Sequence, residues 1–419
     1  MFTATRPGLM DLTLHDMAQK QPRLDQTLGV VLQLDGRPPA LAELRAHVAG
    51  RLDRLPALTH YLHGPGLRAR WAHDPRPDLE RRVGERAVAA GPDRLDAALE
   101  DLLAHPLPWD LWLLHGHAPG RYALCYRLHH SCQNGGALRH VLCTLFGAAP
   151  ATAAPATAVP ATAAPARPEP RAGVRVHART LGGMLGALAR NDLWNDPAHP
   201  LRNARTGTWA SAPTQVLRAV GAARGGSGND ALLAALASAL RTWTRAYWPR
   251  GAGRAVPAAM MVDVRRPHEA DRPGNLFAHA TLPLPSHRPT HEERLDAIVA
   301  ATRRPKDPLV RAATRTLLDR TPACVGRAVA DRVTTPPRAV VDTSHVVFPH
   351  PLSYRGDPVT GVRIATWLPR HHPASIVACS YNGTTGVYFL TDAALPGLHR
   401  LAGWWEEAVA EAHAATAPA

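Results

Sequence analysis

Lysine is almost missing from this chain of 419 residues, because Lys20 and Lys306 are the two lysines among its 48 basic side chains. Arginine therefore carries nearly all of the formal net charge of +14. This charge suits an acidic partner such as a nucleic acid, coenzyme A, an acidic carrier protein or an anionic membrane surface. Aromatic residues make up only 5% of the sequence, and no basic patch is interleaved with them. We therefore expect no nucleic-acid partner.

Long apolar runs and paired cysteines are missing too. No stretch approaches the roughly 20 apolar residues that a membrane span requires. Asp11, His15 and Asp16 interrupt the N-terminal stretch, which is unlike a signal peptide. The 5 cysteines contain no C-x-x-C pair, which argues against a disulfide framework or a zinc knuckle. The sequence predicts a soluble cytoplasmic protein without a membrane span, and peripheral contact with a membrane is compatible with its charge.

The clearest boundary in the chain is a tract rich in Ala, Pro and Thr over residues 148–173. Such a composition does not build a hydrophobic core. A chain of 419 residues also exceeds the size at which a single core stops growing, so two packed units are expected. We predict an N-terminal subdomain over residues 1–147, a linker over 148–173 and a C-terminal subdomain over 174–419.

Hydrophobic periodicity predicts both strands and helices in each half. The strands are predicted over residues 27–34, a hairpin of 111–114 with 122–128, and 258–264, 278–284, 359–367, 375–381 and 386–390. The helices are predicted over 40–54, 95–105, a segment from 138 onward, a segment capped by Asn229, and 396–412. The interspersed order, without strict alternation, indicates an α/β (α+β) fold of mixed sheets covered by helices.

The polar segment His129-His130-Ser131-Cys132-Gln133-Asn134-Gly135 lies between the second hairpin strand and a predicted helix. Strand alternation places Tyr126 and His130 on one face and His129 on the other, so the two histidines have different roles. A neutral imidazole, with an ordinary pKa of about 6.5, can take a proton from an attacking hydroxyl or amine. The N–H of Gly135, at the positive end of the helix, would stabilise an oxyanion.

Other interpretations of this segment stay open on the residues alone. An adjacent histidine pair at a strand end also occurs as a purely structural feature. A metal site is disfavoured because adjacent strand residues do not converge and no third ligand lies nearby, so we expect no metal. Cys132 is a conceivable thiol nucleophile.

The segment resembles the HHxxxDG motif of the condensation-domain superfamily, with Asn134 in the place of the aspartate. Further segments resemble patterns of the bacterial wax ester synthase/diacylglycerol acyltransferase family: residues 109–116 its PLWELWLIEG, 229–233 its NDVVL, 262–265 with 274–275 its PVSLR…GN, and 380–383 its SYNG. The matches occur in the order of the family and extend over most of the chain.

The resemblance implies two chloramphenicol-acetyltransferase-like subdomains in a V-shaped pseudo-dimer, with a tunnel between them. His130 would be the general base, while His129 and Asn134 would be structural. Arg265 is the expected partner of Asn134, with Arg266 as second choice. The residues expected to contact substrate are Tyr126, Asp263, Asn275 and Ser380.

The activity implied is transfer of an acyl group from a CoA or carrier-protein thioester to a hydroxyl or amine. It needs no cofactor, one chain would suffice as a monomer, and the product would be a lipid ester or a specialised metabolite. An acyl or peptidyl carrier protein is a second expected partner. Because Asn134 brings no charge to the motif, two alternatives stay open: a scaffold that binds an acyl chain or carrier protein, and cyclisation, elimination or hydrolysis of a tethered thioester.

Overall fold

The computed structural model describes residues 6–21, 26–91, 94–102, 107–147, 172–186 and 188–416. Almost all of the predicted linker, residues 148–173, lies outside these ranges. The boundaries of the two subdomains therefore stay predictions.

The described residues contain strands and helices throughout. The strands are β1 (Thr27–Asp35), β2 (His60–His63), β3 (Arg70–His73), β4 (Val83–Ala87), β5 (Trp109–His115), β6 (Arg121–His129), β7 (Arg205–Pro213), β8 (Val256–Asp263), β9 (Phe277–Leu284), β10 (Val341–Val347), β11 (Ser353–Tyr354), β12 (Asp357–Ala365), β13 (Ala374–Tyr381) and β14 (Thr384–Asp392). The helices are α1 (Leu9–Lys20), α2 (Leu41–Ala49), α3 (Pro56–Thr59), α4 (Leu79–Arg82), α5 (Arg94–Leu102), α6 (Gly135–Phe146), α7 (Val174–Gly186), α8 (Thr214–Ala222), α9 (Gly228–Tyr247), α10 (His291–Lys306), α11 (Pro308–Arg320), α12 (Ala323–Val333) and α13 (Leu401–Thr416).

The first sheet has the strand order β11-β12-β1-β6-β5-β4. Its neighbours are antiparallel except β4 and β5, which run parallel. The predicted hairpin is confirmed as β5 and β6, with Asp110 opposite Arg127. These two side chains form a buried ion pair across the hairpin. Because β11 and β12 come from late in the chain, this sheet takes strands from both sides of residues 148–173.

The second sheet has the order β7-β14-β13-β10-β8-β9, in which β13, β10 and β8 are parallel neighbours. Helices α8, α9 and α13 pack together at this sheet, and their core includes the buried Trp243, Phe389 and Trp405. A separate core cluster reaches from the first sheet into the second through Val377 and Tyr381. The predicted mixed α/β class, with mixed sheets covered by helices, is thus confirmed.

Several local predictions differ from the structure. Asn229 does not cap α9; Ser227 does, because it forms a capping box in which Asp230 accepts the N–H of Ser227 at 2.7 Å. The helix predicted over 40–54 ends at Ala49, and the C-terminal helix begins at Leu401. Strands β7 and β10 and helices α10 to α12 were not predicted. Of the helices within the described ranges, none is both long and apolar enough to cross a membrane.

Candidate active site

The histidine segment lies at a strand-to-helix corner, as the sequence predicted. Strand β6 ends at His129, and α6 begins at Gly135 with Asn134 as its N-cap. The Asn134 side chain accepts the N–H of Ala137 at 3.0 Å, which fixes the start of the helix. On the strand side, the N–H of His130 donates to the carbonyl of Gln26 at 2.9 Å. The backbone on both sides of the His130 side chain is therefore held in place.

The His130 ring is partly exposed and lies between two aromatic side chains. Its centroid is 5.7 Å from that of Phe277 and 6.2 Å from that of Trp367. Nδ1 is buried and makes no hydrogen bond to any of the described residues. The backbone of Gln133 lies near the ring. Burial lowers the pKa of His130. The neutral imidazole, which is the form that can act as a base, is thereby favoured.

His129 has a different environment from His130. Its Nδ1 accepts the N–H of Ser131 at 3.3 Å and lies 2.8 Å from the Ser131 hydroxyl oxygen. Burial lowers the pKa of His129 to about 4, with His130 as a further contributor. Since Nδ1 accepts a hydrogen bond, the proton of the neutral ring lies on Nε2. This local fixation fits the structural role predicted for His129.

Asn275 clamps the backbone of the histidine segment. Its Nδ2 donates to the carbonyl of His130 at 2.7 Å and to that of Ser131 at 3.1 Å. Asp11 of α1 orients this amide, because its Oδ1 accepts from Asn275 N at 2.6 Å and from Nδ2 at 3.2 Å. Burial raises the pKa of Asp11. Asn275 thus holds the backbone of His130 in place. The sequence predicted that Asn275 contacts substrate, but it is not among the residues that border the cavities at His130.

The residue before Asn275, Gly274, has a conformation and surroundings that require glycine. Its φ is +90°, and a Cβ added there would lie 2.7 Å from Asp11 Oδ1. A larger residue would therefore be strained in its backbone and would also collide with the acid. The N–H of Gly274 donates to the carbonyl of Cys132 at 2.8 Å, which joins the two segments directly.

The predicted contact between Asn134 and Arg265 is present. Arg265 Nη2 donates to Asn134 Oδ1 at 3.1 Å and to the carbonyl of Gly274 at 3.2 Å, while Nη1 donates to the carbonyl of Glu269 at 2.8 Å. Arg265 Nε is buried without a partner among the residues that the structure describes. Arginine and carboxylate groups commonly pair through two parallel hydrogen bonds. Asn134 offers Arg265 one acceptor oxygen where a carboxylate would offer two, and Nε is left unpaired.

Asp263 supplies a carboxylate close to this arginine. Its Oδ1 accepts the N–H of Arg265 at 2.8 Å. A Cβ added to Gly136 would lie 3.2 Å from both Arg265 Nε and Asp263 Oδ2, so both groups lie beside the motif. Burial lowers the pKa of Arg265, and Asp263 is the charge that opposes this effect most. The PVSLR pattern that this segment resembles has serine at this position, so Asp263 supplies a charge that the pattern lacks.

Two positions that can each supply a carboxylate to the same arginine predict energetic coupling between them. Asp263→Ser removes the charge that most favours the charged form of Arg265, and Asn134→Asp supplies a carboxylate to its unpaired Nε. We expect Asp263→Ser to lose about 1 kcal/mol of unfolding free energy when residue 134 is asparagine. The loss should be much smaller in the Asn134→Asp background, with a coupling energy of about 1 kcal/mol. Urea unfolding of the four proteins measures this coupling, and additive effects of the two substitutions would contradict it.

Gly135 and Gly136 begin α6 and border the candidate site. Their N–H groups have no intrahelical acceptor because they lie in the first turn. A Cβ added to Gly135 would approach Val346 of β10 to 3.0 Å, which explains why a glycine lies at this contact between α6 and β10. The placement is compatible with the oxyanion contact predicted for Gly135.

Two cavities meet at His130. A cavity of about 210 Å³, the polar cavity, is bordered by His130, Asn134, Gly135, Gly136, Arg139, Met261, Asp263, Phe277, Ser344, His345, Val346 and Val347. A second cavity of about 150 Å³, the apolar cavity, is bordered mainly by aliphatic and aromatic side chains of α1, β8–β10, β12 and β13. His130, Gly135 and Phe277 border both. His130 therefore lies where the two cavities meet.

Two of the remaining predicted residues lie behind the cavity walls. Tyr126 is fully buried, and its hydroxyl donates to Gln133 Oε1 at 2.9 Å. The Ser380 hydroxyl is buried and lies 2.8 Å from His345 Nε2. These contacts give both residues supporting positions and do not support direct contact with substrate. Asp263, in contrast, borders the polar cavity, and its contact with substrate stays a prediction. Burial raises the pKa of the Cys132 thiol, which disfavours a thiolate nucleophile.

His345 is the main site residue that the sequence did not reveal. It borders the polar cavity, and its Nδ1 lies 3.2 Å from Asn229 Oδ1. Burial lowers its pKa to about 4, so the ring is neutral near pH 7. Asn229 thus orients a cavity histidine instead of capping its helix. A lone histidine in a strand that was not predicted gave no local signal.

Comparison with known proteins supports the resemblance in both halves of the chain. A model of the wax ester synthase/diacylglycerol acyltransferase catalytic domain matches residues 27–234, and a model of the WS/DGAT C-terminal domain matches residues 273–412. A Mycobacterium tuberculosis protein whose name assigns it to the diacylglycerol O-acyltransferases is 25% identical over 233 residues, 51% of this chain and 50% of that protein. The match thus spans about half the length of this relative.

Solved structures share the fold over nearly the whole chain. The wax ester synthase/diacylglycerol acyltransferase from Marinobacter aquaeolei VT8 has a TM-score of 0.61 at 19% identity, covering 98% of this chain and 99% of that one. The starter condensation domain of rhizomide synthetase, solved with C8-CoA, has a TM-score of 0.65 at 13% identity, covering 98% of this chain and 94% of that one. Because the two family models together match most of its length, the chain belongs to the wax ester synthase/diacylglycerol acyltransferase family.

Proposed function

We propose that this chain is an acyltransferase, in which His130 is the general base for transfer of an acyl group from a thioester to a hydroxyl or amine. The observation that carries the proposal is the position of His130, whose partly exposed ring borders two cavities and whose pKa is lowered by burial. A base between two cavities can act on an acceptor that enters from one side and a thioester that enters from the other.

The chemistry follows from the two faces of the site. Nε2 of His130 takes the proton of the acceptor while the acceptor oxygen or nitrogen forms a bond to the thioester carbonyl carbon. The carbonyl oxygen becomes an oxyanion, which the N–H groups of Gly135 and Gly136 stabilise. Collapse of this intermediate breaks the carbon–sulfur bond, and the leaving thiolate takes the proton from His130. The protons therefore balance without a metal or a redox cofactor.

The acyl donor is a CoA or carrier-protein thioester in this proposal. The basic Arg139 borders the polar cavity, where it can attract the phosphate groups that either donor carries. The related condensation domain solved with C8-CoA is a precedent for an acyl-CoA in this fold. A single chain contains all the residues used here, so a monomer would suffice.

The proposal is tested by giving purified protein a panel of acyl-CoAs with alcohol and amine acceptors. Mass spectrometry then measures the acylated product and the free thiol. We expect stoichiometric product and thiol for at least one pair of substrates. Thiol without acylated acceptor would indicate hydrolysis or another reaction of the thioester. Binding without turnover, including with donors presented on a carrier protein, would indicate a scaffold.

The pH dependence of turnover follows from the pKa of His130. Because burial lowers this pKa, His130 stays unprotonated at pH values where an ordinary histidine, with a pKa of about 6.5, is protonated. We therefore expect the acid limb of the kcat/KM profile to lie below about pH 6.5. An acid limb at or above that value would contradict this assignment.

Loss of folded protein at low pH would also lower turnover, so the kcat/KM profile is measured together with a stability control. The buried His129 and His345, with pKa values of about 4, bind protons more weakly than they would in the unfolded chain. The stability that depends on them is present above about pH 6.5 and is lost as pH falls towards 4. Preincubation at each pH, followed by assay at pH 7.5, separates this unfolding from titration of the base.

A further inference from the structure

His372 is one of three histidines that border the apolar cavity, together with His130 and His279. His372 Nδ1 lies 2.7 Å from Asp342 Oδ2, and the two side chains are only 8% and 7% exposed. Both residues border the cavity. The neighbouring lining is mostly aliphatic or aromatic, including Met17, Leu28 and Val377. A buried acid–histidine pair is therefore placed in a lining that is mostly apolar and that also includes His279.

His372 Nε2 is unusual because it is buried and has no hydrogen-bond partner within the described part of the chain. Asp342 fixes the ring through Nδ1, so the orientation of Nε2 is set. Buried polar atoms are nearly always paired, and those that are not commonly mark a functional group or a missing ligand. The proposed transfer reaction gives His372 no role, since His130 supplies the base.

The size of the apolar cavity limits what can occupy it. Its volume is about 150 Å³, which is close to that of an engineered protein cavity that binds benzene. An occupant of roughly six carbon atoms therefore fits, whereas a long fatty acyl chain would need the walls to move. Because most of the lining is apolar, the occupant is largely hydrocarbon, with a polar group where it meets His372.

We propose that the apolar cavity binds a short acyl group that carries a hydroxyl, and that His372 Nε2 forms a hydrogen bond with this hydroxyl. This inference rests on the proposed acyl transfer and adds the substrate class. A hydroxyl can donate to a neutral imidazole or accept from a protonated one, so it satisfies Nε2 in either state. Asp342 acts as a positioning residue, because it holds the ring and does not need to touch the substrate.

A hydroxyl on the acceptor is the other source of the same hydrogen bond. The two sources differ in what the enzyme discriminates. If the acyl group occupies the apolar cavity, the preference follows the thioester; if the acceptor does, a diol is preferred over a simple alcohol whichever thioester is used. The experiment therefore varies both substrates.

The test compares hexanoyl-CoA with the four hydroxyhexanoyl-CoA isomers that carry the hydroxyl on the third, fourth, fifth or sixth carbon. One alcohol acceptor is used throughout. In the wild-type protein we expect at least one hydroxyhexanoyl isomer to have a kcat/KM about 10-fold or more above that of hexanoyl-CoA. His372→Phe should bring that ratio close to one. His371→Asn is the matched control, because His371 is adjacent, lies outside the cavity lining and has a φ of 59° that asparagine tolerates.

A double variant guards against misfolding, because His372→Phe leaves the buried Asp342 without its partner. His372→Phe with Asp342→Leu removes the acid as well and should also lose the preference, measured as the ratio of kcat/KM for the hydroxylated thioester to that for hexanoyl-CoA. Three results would overturn the inference. The first is a kcat/KM for hexanoyl-CoA that equals or exceeds that of every hydroxylated thioester. The others are a preference that survives in both variants and a preference that follows a diol acceptor.

Calorimetric binding of the same thioesters without acceptor separates this inference from the proposed function. Tighter binding of a hydroxylated isomer that depends on His372, without turnover with any acceptor, would refute acyl transfer and retain the subsite. Turnover with no discrimination would retain acyl transfer and refute the subsite.

Discussion

His130→Ala is expected to lower kcat/KM by about 10²–10⁴-fold, the range over which a positioned general base contributes to catalysis. The substitution removes the one imidazole that borders both cavities, while the carbonyl of His130 still accepts from Asn275 at 2.7 Å. The clamp on the backbone is therefore kept. Initial rates of thiol release and acylated product measure the loss.

The control for this variant is His287→Ala, which removes an exposed histidine from the turn between β9 and α10. It should keep kcat/KM within about twofold of wild type. His130→Ala should also melt within a few degrees of wild type, because a buried Nδ1 without a partner is lost with the ring. Full activity of a folded His130→Ala protein would remove the base from the mechanism.

Asn275→Asp is expected to cost about 3–5 kcal/mol of unfolding free energy at neutral pH, and to abolish most activity. The change replaces an NH₂ donor by an oxygen that faces the carbonyls of His130 and Ser131 and the buried carboxylate of Asp11. A buried charge without a partner carries a penalty of this size. Two adjacent carboxylates also cannot both ionise cheaply.

The pH dependence gives this prediction a distinctive sign. Either Asp11 or the carboxyl group introduced at position 275 would stay protonated in the folded variant, so the folded pKa of that acid is raised above its unfolded value. The variant is therefore least destabilised at low pH and loses stability as pH rises. Asn382→Asp is the matched control, since it makes the same chemical change at an exposed turn. Equal stability losses in the two variants, measured by urea unfolding at about pH 5 and 7.5, would refute the clamp.

The corner that carries His130 could be predicted because its signals are local. Alternating apolar residues define β6, helical spacing defines α6, and the histidines lie between them. The partner of Asn134 could be predicted only through the family pattern, since Arg265 lies 131 positions away in the sequence. Nothing in the composition or periodicity around Arg265 indicates which distant side chain it contacts.

Features that depend on long-range packing were not predictable from the sequence. The crossing of β12 into the first sheet, next to β1, brings Trp367 towards His130. Strand β10 places His345 and Val346 at the polar cavity, although only a short apolar run marks it. Asn275 illustrates this limit, because its hydrogen bonds to the histidine segment depend on Asp11, which is 264 positions away in the sequence.

Chemical rescue of His130→Gly by free imidazole tests the central claim most directly. The variant opens space between Phe277 and Trp367 where an added imidazole can bind and take the acceptor proton. We predict that acylated product forms at a rate that rises with imidazole concentration, whereas imidazole has no such effect on wild type or on Asn275→Asp. A folded His130→Gly protein with wild-type turnover, or one whose lost activity no concentration of imidazole restores, would contradict the assignment of His130 as the general base.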